Sequence, residues 1–75
     1  MKIKIRLMGM LKDREPENNH LELADNSTIE QALQSLEIDT DGVFVFTVNG
    51  DLERDKTRVL QAEDELIVLP PALGG

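Results

Sequence analysis

The chain has 75 residues, 40% of them hydrophobic, and a formal net charge of −7 from 15 acidic and 8 basic side chains. At this length one domain is expected, burying only about 60% of its unfolded-chain surface. It has no cysteine, which excludes disulfides, thiolate-bound metals and an internal thiol or persulfide and leaves stability to aliphatic packing. The acidic balance argues against nucleic acid, which is met by Lys and Arg, and favours solubility and partners with basic faces. The chain lacks both a bilayer-long apolar run and the apolar core of a signal peptide, so no membrane is expected as a partner and the location is expected to be cytoplasmic.

Residues 2–7 alternate strictly, with Ile3, Ile5 and Leu7 on one face and Lys2, Lys4 and Arg6 on the other. Period two predicts a half-buried strand with a solvated cationic face. With Lys12 and Arg14, these cations make the first stretch basic, and most acids come later. Residues 10–19 are polar and contain Pro16, which predicts a turn or loop. His20, Leu21, Glu22 and Leu23 resume the alternation and predict a hairpin with the first strand.

Ser27 and Glu30 fit a capping box, each able to bond the other's backbone amide at a helix start. Ile29, Ala32, Leu33 and Leu36 then form one apolar stripe, which predicts a helix on one face of a sheet. Asp41-Gly42 signals a turn, and residues 43–48 read as a strand with both faces at least partly covered. Asn49-Gly50 signals a tight turn. Residues 51–60 are charged and irregular, with room for a short strand or a helical turn. Residues 61–64 read as a turn and 65–69 as the last strand, stopped by Pro70 and Pro71. This order predicts an α+β two-layer domain whose first and last strands lie parallel in a mixed sheet.

The sequence contains neither a Walker A pattern nor a G-x-G-x-x-G. His20, the lone histidine, reads as structural and supports no triad. Glu63, Asp64 and Glu65 are adjacent, so on an extended chain they point apart and read as a solvated turn, not a chelate. The unusual placement belongs to Gly74 and Gly75, which follow Pro70-Pro71-Ala72-Leu73. A glycine pair gives a thread without side chains, ending in an unhindered carboxylate, that can enter an active site too narrow for a Cβ. The plain alternative is a frayed end. Such a carboxylate becomes an acyl donor once an ATP-using enzyme adenylates it. A sulfur nucleophile would then leave a thiocarboxylate and an amine an amide. ATP would be bound by a partner.

A second feature is that residues 43–46 and 66–69 are apolar on both faces. They read either as ordinary β propensity partly covered by residues 51–60, or as a docking patch beside the tail that includes Phe44, Phe46 and Leu69.

The element order, the Asn-Ser-Thr-Ile lead into the helix, Val48-Asn49-Gly50, Asp64-Glu65-Leu66 and the ending Leu69-Pro70-Pro71-Ala72-Leu73-Gly74-Gly75 together resemble the MoaD/ThiS sulfur carriers. The resemblance implies a ubiquitin-like β-grasp: a mixed sheet with one packed helix over residues 1–70 and a flexible tail over 71–75. It implies no catalytic residues beyond the Gly75 carboxylate, which a MoeB- or ThiF-type adenylating enzyme activates with its own ATP, and no cofactor bound by this chain. A sulfur donor protein then completes the thiocarboxylate.

The proline pair resembles MoaD more than ThiS. It implies that the tail enters a MoaE-type large subunit of molybdopterin synthase. On that reading Gly75 carries sulfur, Gly74 gives clearance, and Pro70 and Pro71 hold the thread extended through their fixed φ. Leu73 stands where ubiquitin has a basic residue. Met8-Gly9-Met10-Leu11 departs from the phenylalanine that MoaD chains usually carry after the first strand. The alternatives are a ThiS-like carrier serving a thiazole synthase, a ubiquitin-like modifier joined to lysines, and an adaptor with an inert tail.

Overall fold

The computed structural model describes residues 1–40 and 45–70. The predicted turn at Asp41-Gly42, the first residues of the predicted third strand, and Pro71, Leu73, Gly74 and Gly75 lie outside the described residues.

Five strands form one mixed sheet: β1 Lys2–Leu7, β2 His20–Glu22, β3 Val45–Val48, β4 Asp51–Glu53 and β5 Glu65–Leu69, in the order β2-β1-β5-β3-β4. β1 and β5 are parallel at the centre, with Ile5 beside Leu66 and Leu7 beside Val68. The other pairings are antiparallel. The alternation read in β1 is the one observed: Ile3, Ile5 and Leu7 are fully buried and the three cations are exposed.

Among the described residues one α-helix, α1 Ile29–Ser35, covers one face. Its Ile29, Ala32 and Leu33 close the core with Ile3, Ile5, Leu7, Phe46, Val48, Leu66 and Val68 of the sheet, together with Ile38 and Leu60. Burying each large side chain stabilises the fold by about 1.5–3 kcal/mol.

The capping box is shifted by one residue from the expected register. Thr28 is the N-cap: Gln31 N–H donates to Thr28 Oγ1, and Thr28 N–H donates to Gln31 Oε1. Ser27 is instead buried, with its hydroxyl donating to the Ala24 carbonyl. The next two amides at the helix start, Ile29 and Glu30, donate to the carbonyls of Arg58 and Lys56. Residues 54–60 therefore close off the helix end, and Leu60 joins the core on the helix side of the sheet.

The helix stops without glycine. Glu37 takes φ 61°, its N–H donates to the Gln34 carbonyl, and Ile38 N–H donates to the Leu33 carbonyl. This is a Schellman closure with the Ile38 and Leu33 side chains in one cluster. Asn49 and Gly50 both have positive φ, as a type I′ hairpin turn requires, and this sets Val48 opposite Asp51. The stretch between β1 and β2 is two short 3₁₀ segments, Gly9–Arg14 and Glu17–Asn19, where a turn or loop was expected.

Candidate functional site

The site is built around the end of β5, because the chain leaves the sheet there and the glycine pair follows. Pro70, half-buried, is its last described residue. Two features of the β1 exit fix it. Met8 N–H donates to the Val68 carbonyl at 3.1 Å, extending the β1–β5 ladder by one step. Gly9 then turns away at φ +58°, and a Cβ on it would stand 3.1 Å from Pro70 Cγ. The Met8-Gly9 step, read in the sequence as a departure from a family pattern, thus packs against Pro70, the last described residue.

The 3₁₀ segment beyond it is pinned by Glu15. Leu7 N–H donates to Glu15 Oε2 at 2.9 Å. That bond, with help from Asn19 and from the charges of Lys12 and Arg6, holds the Glu15 carboxyl below the usual carboxylate range. Asn19 Nδ2 also donates to the Ile5 carbonyl.

The helix takes one face of the sheet, and the opposite face is left open among the described residues. Register decides which residues lie on it. Val45 pairs with Leu69, and Thr47 with both Ile67 and Leu52, while Ile67 also neighbours Arg6. The outer face is therefore apolar over β5, β3 and β4: Val45 and Ile67 are half-buried, Leu69 is 36% exposed and Leu52 60%. The Thr47 hydroxyl oxygen is shielded and has no hydrogen-bond partner, so Thr47 meets the surface through its other atoms.

This overturns one expectation. Phe46 points inward and is only 2% exposed, so it belongs to the core and not to a docking patch. Leu69 does lie on the outer face, and Phe44 is outside the described residues. Leu52, missed in the sequence reading because residues 51–60 looked irregular, was findable. A two-residue turn at Asn49-Gly50 forces Leu52 opposite Thr47.

At the entry to β5 the chain is not extended, because Glu63 turns at φ 70°, and the neighbouring Asp64 is not solvated. It is 9% exposed, accepting from Asn49 Nδ2 at 2.9 Å and from Gln61 N–H at 2.8 Å. Asn49 Oδ1 in turn accepts from Glu65 N–H. The pair latches the β3–β4 turn to the start of β5 and so holds the outer-face register. His20 is exposed on the edge strand β2 beside Lys4. Among the described residues no cluster of His, Asp or Glu is arranged to hold a metal, and no helix is long and apolar enough to cross a membrane.

The model of the ThiS family matches residues 5–75. Among solved structures, the crystal structure of SAMP1 from Haloferax volcanii superposes with a TM-score of 0.69 over 100% of each chain at 16% identity, a likeness of fold. No curated protein matches. The family match runs through the glycine pair, and the sheet order with its single helix is the ubiquitin-like one. The chain belongs to the ThiS family, the ubiquitin-like sulfur carriers that work with adenylating enzymes and synthase partners.

Proposed function

We propose that this carrier is the small subunit of a molybdopterin synthase. The Gly75 carboxylate attacks the α-phosphorus of ATP held by a MoeB- or ThiF-type enzyme, releasing pyrophosphate and leaving an acyl-adenylate. Hydrosulfide released by a sulfur donor protein then attacks the acyl carbon, the C–O bond to AMP breaks, and a thiocarboxylate remains. The loaded tail enters a MoaE-type large subunit and gives up its sulfur there. Since no side chain of this chain takes part, catalysis rests on delivery: the partner docks on the domain and the thread reaches its reacting atoms.

The observation that carries this reading is the seating of Pro70 against Gly9 beside an open apolar face. In the sequence a second proline and then the glycine pair follow Pro70. The family model that matches favours a second reading, a carrier supplying a thiazole synthase.

The test is intact mass after incubation with ATP, the adenylating enzyme and a sulfur source. Exchange of one oxygen for sulfur adds about 16 Da to the activated acyl group. Removal of Gly75 should abolish the shift. Gly74→Val should abolish it while leaving the urea midpoint of the domain unchanged. The loaded carrier is then offered to a MoaE-type subunit and to a thiazole synthase. Isopeptide-linked adducts in place of a mass shift would mean a protein modifier. Cofactor synthesis with the Gly75-less chain would end the carrier reading.

A further inference from the structure

The molecule is acidic, yet its open sheet face is not. Among the described residues the ion-paired cations Lys12, Arg14, Lys56 and Arg58 all lie off that face, joined to Glu15, Glu37, Glu30 and Glu53. Lys2, Lys4 and Arg6 stand on it, exposed and, among the described residues, with no carboxylate within ion-pair distance, although Arg6 is near enough to Glu15 to help hold its carboxyl low. Their settings differ. Lys2 lies beside Glu22, and Lys4 lies between His20 and Glu65. Arg6 alone continues the apolar row, and Leu52, Thr47, Ile67 and Arg6 run side by side across β4, β3, β5 and β1. Arg6 also borders an open depression shared with Lys4, Asn18, Asn19, His20 and Glu65.

We propose that Arg6 is the ionic anchor of the docking face, and that the partner seated there carries a carboxylate beside an apolar patch. An apolar row ending in an unpaired guanidinium is matched by a protein surface of that kind. A guanidinium at the edge of excluded water offers forked donors to a carboxylate, which fixes both register and orientation. The net charge of −7 points toward basic-faced partners, but contact depends on the charge of the face that is buried. On this face Glu22 and Glu65 sit beside Lys2 and Lys4, while Asp51 and Glu53 of β4 fall on the opposite parity, so Arg6 is the charge that the apolar row presents to an acidic partner. The proposal rests on the carrier reading, with the adenylating enzyme as the partner tested.

The experiment titrates the full chain into the ThiF- or MoeB-type enzyme of the same source, at about 50 mM and about 500 mM salt, spanning strong and weak screening. Arg6→Gln is compared with Arg14→Gln, which removes the same charge from a 3₁₀ segment off the face. Arg6→Glu adds repulsion. The expected result is about tenfold weaker binding for Arg6→Gln at low salt, a larger loss for Arg6→Glu, and little change for Arg14→Gln. The wild-type salt dependence should shrink in Arg6→Gln. Circular dichroism melts check that the exposed substitutions leave the fold in place.

Equal affinities for Arg6→Gln and Arg14→Gln, or tighter binding by Arg6→Glu, would overturn the proposal while leaving the carrier reading standing. If wild type neither binds the enzyme nor gains the thiocarboxylate mass, the carrier reading falls and this proposal with it. Loss of enzyme binding to competing RNA or anionic vesicles that themselves hold the chain through Arg6 would also overturn it.

Discussion

Pro70 Cγ lies 3.1 Å from the place a Cβ on Gly9 would occupy, and Gly9 itself sits at φ +58°. The end of the last strand and the turn after the first therefore share one tight contact. The parallel pairing of β1 with β5 brings them together, because both strands run toward the same edge of the sheet. Pro70 is thus seated against a residue 61 positions earlier (70 − 9).

Gly9→Ala should destabilise the fold by about 1–2 kcal/mol, since an L side chain is strained in the left-handed region. The added methyl also presses on Pro70, so thiocarboxylation should slow beyond what the unfolded fraction explains. Urea denaturation gives the first effect and intact-mass time courses the second. An unchanged rate per folded molecule would show that Pro70 moves aside freely.

Core and docking face should separate cleanly by mutation. Phe46→Ala empties a buried site and should cost about 3–5 kcal/mol. Leu52→Asp changes an exposed side chain and should stay within about 0.5 kcal/mol, yet weaken binding to the adenylating enzyme by placing a charge in the apolar row. Denaturation midpoints and titration calorimetry on the same preparations check both.

Glu15 should make the region around the tail exit acid-sensitive. Its carboxyl titrates lower in the folded chain than in the unfolded chain, chiefly because it accepts the Leu7 N–H. Between those two values the unfolded chain binds more protons, so stability rises with pH there. The contribution is full above the unfolded carboxylate's pKa and is lost as pH falls through the lowered folded value. Urea midpoints across the acid range should show this limb, and Glu15→Gln should flatten its share of it.

Glu37→Gly should stabilise the domain by up to about 1 kcal/mol. Glu37 closes the helix in the left-handed region, where glycine is the residue of least strain. The substitution also removes an exposed ion pair with Arg14, which contributes little. A lower urea midpoint for the glycine variant would mean that this pair outweighs the backbone strain.

Much of this protein was legible in the chain by itself. Strict alternation in Lys2–Leu7 fixed which residues face the core, because a strand's side chains repeat every two residues. Ile29, Ala32 and Leu33 marked the buried stripe of the helix, and Asn49-Gly50 marked the hairpin that pairs β3 with β4. The glycine pair and the residues before it carried the family.

Other features were decided only when distant segments met. Ser27 and Thr28 are equally able to cap, and Thr28 took the role once Leu60 N–H had claimed the Ser27 carbonyl and the Ser27 hydroxyl had turned to Ala24. Phe44 and Phe46 are alike in sequence, and pairing Phe46 with inward-facing Val68 sent it to the core. Asp64 looked like one of three solvated acids until the β3–β4 turn brought Asn49 against it. Alternation marked the cationic face of β1, but only register placed Arg6 beside Ile67 at the end of the apolar row. A local pattern specifies which face a side chain takes within its own element, whereas its neighbours across the sheet depend on strand order, and that follows from packing the whole chain around one core.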